Sequence, residues 1–133
     1  MKHYNYIEAF NNSSSDKNHM HKYAVVYDYI FNSHFLQKGD KLDMLEIGIR
    51  LGDSIDVWDN SPQINKIIGV DITSKEEYQS DLINNNKNWN FSDNVELIQG
   101  VDGYDEDFSK NLGKKHTFDL ISPHNVTNKL GPF

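Results

Sequence analysis

The residues best placed to do chemistry are two acids that close short apolar runs, Glu46 in Leu42-Asp43-Met44-Leu45-Glu46-Ile47 and Asp71 in Lys66-Ile67-Ile68-Gly69-Val70-Asp71. Such runs read as buried parallel strands, whose carboxyl ends face the crevice where open α/β sheets hold their ligands. Asp71 follows Gly48 by 23 residues, and a carboxylate at that place and distance suits the two hydroxyls of a ribose. Between the acids, Gly48 and Gly52 stand four residues apart in Gly48-Ile49-Arg50-Leu51-Gly52-Asp53-Ser54. Gly48 admits backbone angles closed to other residues, and Gly52 lets a helix start close to the strand with free N–H groups aimed into the cleft. Two plainer readings stay open: the glycine corner as a purely structural turn, and Asp71 as a cap for the helix after Ile72-Thr73-Ser74.

A pyrophosphate site is disfavoured. It requires Gly-x-Gly-x-x-Gly, whose second glycine lets the phosphates approach the backbone, and Arg50 occupies that position. A nicotinamide dinucleotide is therefore a weaker ligand candidate. With 13 Lys and Arg against 20 Asp and Glu, the formal charge of −7 argues against a general grip on nucleic acid or anionic lipid. The absence of cysteine removes disulfides, thiolate metal sites and a thiol nucleophile. No apolar run approaches the ~20 residues of a membrane span, and no apolar secretory core opens the chain; a soluble, cytoplasmic protein is expected.

These residues need a framework, and 133 residues suit one domain. Residues 1–20 are polar, with Asn11-Asn12-Ser13-Ser14-Ser15 among them, and read as a flexible arm. From His21 to Phe35, Tyr23, Val26, Tyr27, Ile30 and Phe31 recur at helical steps, predicting a helix with one face on the sheet. Strands are expected at Leu42 to Ile47, Lys66 to Asp71, Asn94 to Gly100 and Thr117 to Ile121, the third with Val95, Leu97 and Ile98 inward. Ser54 to Asn60 reads as a short helix turning Ile55 and Trp58 to the core. A second follows Ser74 and frays in the asparagine-rich stretch before Trp89 and Phe91, aromatics that anchor the return to the sheet. Asp105 to Leu112 reads as a helix stopped by Gly113.

The run Leu45-Glu46-Ile47-Gly48-Ile49-Arg50-Leu51-Gly52-Asp53-Ser54 resembles the first motif of class I S-adenosylmethionine-dependent methyltransferases. It looks closest to the branch that O-methylates sugars, where the loop reads Glu-Ile-Gly-Val, two variable residues, then Gly-Gly-Ser; Asp53 stands in place of the second of those glycines. Ser15-Asp16-Lys17, His21-Lys22-Tyr23 and Tyr27 resemble the segment that lies over the cofactor in that branch, although Ser15 or Asp16 also suits a helix cap. The resemblance implies S-adenosylmethionine as cofactor. Glu46 would hold its amino group; Gly48, Ile49, Arg50, Gly52 and Ser54 would form the loop around it. Asp71 and Ile72 would take the ribose side, and Asp102, one residue later than the usual register, the adenine amino group.

The resemblance implies a Rossmann-like α/β domain over residues 21–121, with parallel strand order 3-2-1-4 and flanking helices. It covers Ser15 to Ile121, the first half of a methyltransferase domain, and reads as truncated after the fourth strand. In the family, Phe-Asp-Leu-Ile leads into paired acids and a histidine that hold a divalent cation, such as magnesium, and the acceptor hydroxyl. Here Phe118-Asp119-Leu120-Ile121 leads into Ser122-Pro123-His124, so both acids are missing and no metal ligands are identified. His124 is the one candidate base, equally suited to a solvated loop within an irregular tail, 122–133. The expected function is an O-methyltransferase-like protein acting on a sugar or other hydroxylated acceptor. The alternative is an inactive remnant serving as an assembly module, with a second copy or partner chain on the fourth-strand edge.

Overall fold

A computed structural model describes residues 3–12, 23–35 and 41–123. In chain order these form α1 (Tyr6–Asn11), α2 (Tyr23–Tyr29) running into a π-helical stretch (Ile30–Phe35), β1 (Leu42–Ile47), α3 (Asp53–Asp59) and β2 (Ile64–Asp71). Then come α4 (Lys75–Asn84), β3 (Val95–Gln99), α5 (Glu106–Lys115) and β4 (Leu120–Pro123). The strands make one parallel sheet in the order β3-β2-β1-β4, an α/β Rossmann-like arrangement.

Alternation along the strands divides the core in two, because neighbouring side chains leave a strand on opposite faces. On one face Leu42, Met44 and Ile67 pack under α1, the π-helical stretch, α3 and α4 through Tyr6, Phe10, Phe31, Ile55, Trp58, Tyr78 and Leu82. On the other, Leu45, Ile68 and Val70 pack under α5 through Leu112, with Phe108 and Ile98 alongside. The register sets Glu46 opposite Gly69 on β2 and Ser122 on β4. Ile98 therefore lies on the face opposite Val95 and Leu97, and helices pack on both faces of the sheet.

Several sequence expectations need correction. Residues 3–12 are not a flexible arm: Asn5 caps α1 by accepting the Glu8 N–H at 3.0 Å, and Tyr6 and Phe10, one turn apart, are fully buried. The Tyr6 hydroxyl donates to Gln63 Oε1 and shares a hydrogen bond with Ser61 Oγ, both at 2.7 Å, while Asn32 exchanges two bonds with the Tyr4 backbone. Val26, assigned to the inward face of its helix, is 46% exposed, whereas Phe31 is fully buried. Gly113 does not stop α5, which runs on to Lys115 and ends at His116. Ser122 and Pro123, expected in the tail, belong to β4.

Candidate functional site

The corner after β1 is left-handed at three positions, with φ of 83° at Gly48, 53° at Arg50 and 96° at Gly52. Glycine tolerates this freely; Arg50 does not, so its conformation is held by its surroundings. Asp71 does much of the holding. Its Oδ2 accepts the N–H of Ile49 at 2.8 Å and of Arg50 at 3.1 Å, and its Oδ1 accepts the Thr73 N–H at 2.9 Å. The Gly48 N–H meanwhile donates to Val70 O at 2.7 Å. Two N–H groups of the loop are thus bound to the second strand's acid. Asp71 is a clasp between β2 and the corner, and it does not cap α4, a task taken by Ser74.

Glu46 also turns inward. It is fully buried, its Oε2 accepting Ser54 Oγ–H at 2.8 Å and its Oε1 the Trp58 indole N–H at 3.4 Å. Ser54 and Trp58 lie one turn apart on α3, so this carboxylate fixes the helix against the strand. Ile49 is 2% exposed and packs over Gly69, where an added Cβ would stand 2.8 Å from Ile49 Cγ2. Ser122, beside Glu46 in register, is buried and shares a 3.1 Å hydrogen bond with Tyr27 Oη.

The open groups lie on the rim formed by the loops after β1, β2 and β3. Ile72 is 68% exposed immediately after the Asp71 clasp, a large apolar side chain held out at the carboxyl end of a central strand. The neighbouring loop is tied alongside by two backbone bonds, Gly100 N–H to Thr73 O at 2.9 Å and Val101 N–H to Asp71 O at 3.1 Å. It carries Asp102, exposed, whose Oδ1 accepts the Tyr104 N–H at 2.9 Å. Partial burial, then the nearby Asp102 carboxylate, raises the Tyr104 phenol above its ordinary pKa. Gly103 closes over Ile47, whose Cγ2 would stand 2.7 Å from an added Cβ.

The proposed site residues therefore separate into an inner frame of Glu46, Ile49, Ser54 and Asp71 and an outer rim of Arg50, Ile72 and Asp102. The three carboxylates hold different partners: Glu46 takes Ser54 and Trp58, Asp71 the backbone of Ile49, Arg50 and Thr73, and Asp102 the backbone of Tyr104. His124 lies outside the described residues, as do Ser15, Asp16, Lys17, His21 and Lys22. Among the described residues no cluster of three or more His, Asp or Glu is arranged to hold a metal ion, and no helix is long and apolar enough to cross a membrane.

Sequence reasoning missed the outer support of the corner. Leu51 O accepts the Trp89 indole N–H at 2.7 Å and the Tyr78 hydroxyl at 3.1 Å. A Cβ on Gly52 would collide with Tyr78 Oη at 2.8 Å and press on Trp89 and Phe91. Burial, then the charges of Asp53 and Asp71, push the Tyr78 hydroxyl up to about 12. The available signal was Trp89 and Phe91 within a strongly polar stretch. A groove of about 510 Å³ lies between α1 and the Lys87–Trp89 loop, with Tyr4 and Asp56 in its walls. It occupies a different face of α3 from Ser54 and Trp58, and Lys87 already pairs with Asp53 there at 2.9 Å. Comparison of the chain with family models, with curated proteins and with solved structures returned no match.

Proposed function

We infer that this chain binds an adenine nucleoside of the S-adenosylmethionine type on the rim formed by Arg50, Ile72 and Asp102, as part of a methyltransferase-like protein. The observation that carries this reading is Ile72, an apolar side chain 68% exposed between the Asp71 clasp and the Asp102 loop. An exposed isoleucine there offers a flat base an apolar face, and Asp102 supplies an acceptor for an exocyclic amino group. Asp71 has given three of its roughly four acceptor positions to the backbone, leaving one on Oδ1 for a ribose hydroxyl.

Charge favours this ligand class over a pyrophosphate. Asp53 and Asp56 occupy the first turn of α3, where a phosphate would otherwise find favourable N–H groups. An excess of acid around the corner favours a cationic ligand such as a sulfonium. Bound S-adenosylmethionine would supply a methyl group for an acceptor oxygen; the chain's part would be to hold it in line with that oxygen, where orientation gives most of the acceleration. Glu46 serves this site by fixing α3, and its burial keeps it from direct contact with a ligand on the rim. This reading carries a cytoplasmic location with it. Titration of the chain with S-adenosylhomocysteine tests it: saturable binding weakened by Ile72→Ser supports the site, and no binding removes it.

A second reading treats the four-stranded sheet as an assembly module. Among the described residues β4 pairs only with β1, and Ile121 on it is 55% exposed, an edge suited to a second copy or a partner strand. Sedimentation at micromolar concentration tests this reading; a dimer dissociated by Ile121→Lys supports it, and a monomer counts against it.

A further inference from the structure

The segment from Tyr78 to Ser92 wraps the outside of α3 and grips it at both ends. At the N-terminal end, the Leu51 carbonyl takes hydrogen bonds from Trp89 Nε1 and Tyr78 Oη, at 2.7 and 3.1 Å. The other half of that peptide, the Gly52 N–H, donates to Ile49 O at 2.9 Å. Lys87 Nζ sits 2.9 Å from Asp53 Oδ1 and 5.4 Å from the centroid of the Trp89 ring. At the C-terminal end, Asp59 accepts the N–H and the hydroxyl of Ser92 at 2.8 and 2.6 Å. The rings of Trp89 and Phe91 stack with centroids 5.7 Å apart at 14°.

The part-buried Lys87–Asp53 pair does not itself bond the Leu51–Gly52 peptide. Two neutral donors converging on one carbonyl are a different matter, because the N–H of the same peptide is also engaged. Together they fix the plane of the Leu51–Gly52 peptide, and with it the direction in which the left-handed corner leaves β1. The inner face of α3 carries Ser54 and Trp58 to Glu46, so a shift of the outer grip would be felt at the strand.

We propose that Trp89 and Tyr78 are positioning residues for the nucleoside site, holding the glycine corner in its binding conformation from outside so that a ligand need not order it. The proposal rests on the ligand reading given above. A corner ordered in advance spares the ligand the free energy of immobilising it, so loss of the grip should appear in affinity before it appears in folding.

The test is calorimetric titration of the full chain with S-adenosylhomocysteine, in the wild type, Trp89→Phe, Tyr78→Phe and Leu112→Val, with thermal midpoints measured alongside. Leu112 packs on the opposite face of the sheet and serves as a mildly destabilised control. Trp89→Phe and Tyr78→Phe are expected to weaken Kd by roughly three- to ten-fold, the equivalent of about one lost hydrogen bond. Leu112→Val is expected to keep the wild-type Kd at an equal or lower thermal midpoint. Unchanged Kd in both aromatic variants, or a Kd that simply tracks the thermal midpoint through all three, overturns the positioning role while the ligand reading stands. Absence of binding by the wild type overturns the ligand reading and the positioning role together.

Discussion

The Asp71 carboxylate accepts the backbone N–H of Ile49 at 2.8 Å through Oδ2, joining the end of β2 to the corner that follows β1. The same oxygen reaches Arg50 at 3.1 Å, where the chain turns through a left-handed residue that is not glycine. The second strand's acid is thus a constraint on the loop, with three backbone N–H groups on its two oxygens. Asp71→Asn replaces one acceptor oxygen with an amide nitrogen, which cannot accept, so whichever way the side chain turns at least one of the Ile49, Arg50 and Thr73 N–H groups loses its partner. Urea unfolding is expected to show a loss of about 1–3 kcal/mol, the cost of leaving buried donors unsatisfied; stability equal to wild type would contradict the clasp.

Gly52 and Gly113 should respond to alanine with opposite signs. At Gly52, φ is +96° and an added Cβ would stand 2.8 Å from Tyr78 Oη, so Gly52→Ala should destabilise by about 1–3 kcal/mol. Gly113 lies inside α5 with nothing within 4 Å of the added atom. Gly113→Ala should therefore stabilise by about 0.5–1 kcal/mol. Thermal unfolding of both variants checks the pair of signs.

Alkaline pH should unfold the chain partly through Tyr78. Its hydroxyl rises from an ordinary value of 10.0 to about 12, chiefly through burial, with Asp53 and Asp71 adding to the rise. A folded-state pKa above the unfolded one means this contribution to stability is complete below pH 10 and is lost as pH climbs towards 12. Tyr6 is raised in the same direction, mainly by burial, so the two losses add. Stability profiles of wild type and Tyr78→Phe should converge between those pH values as the wild type loses its advantage. A constant difference between them across that range would contradict the assignment.

Much of the fold was legible because apolar runs and glycine punctuation are local signals. All four strands lie close to where the hydrophobic runs put them, and Ile55 and Trp58 are fully buried as their spacing predicts. Helix α1 was hidden because only Tyr6 and Phe10, in a polar stretch, carry its inward face, and what they pack against, Trp58 and Phe31, is distant in sequence. Glycine at position 113 looked like a stop because the sequence does not reveal that an interior helical glycine is tolerated on an open face. Within the candidate site, the sequence marked Glu46, Gly48, Gly52 and Asp71 as a unit. It did not distinguish an acid that faces a ligand from one that holds a backbone, since both stand at the end of a strand. The Trp89 and Tyr78 bonds to Leu51 join residues 38 and 27 positions apart, a relation that no local pattern encodes.

Ile72 separates binding from folding. At 68% exposed it contributes little to the core, so Ile72→Ser should leave stability within about 0.5 kcal/mol of wild type. The same change removes the apolar side chain on which the proposed nucleoside site rests. A variant that unfolds more easily, as judged by its thermal midpoint, would place Ile72 in the structural frame instead.

The most direct measurement is calorimetric titration of the full chain with S-adenosylhomocysteine and, in parallel, with NAD, repeated on Ile72→Ser. Saturable one-to-one binding of the sulfur nucleoside, weaker binding of NAD and loss of affinity in the variant are the expected results. No heat with S-adenosylhomocysteine, or NAD bound as tightly, would contradict an adenine nucleoside of this class at the rim.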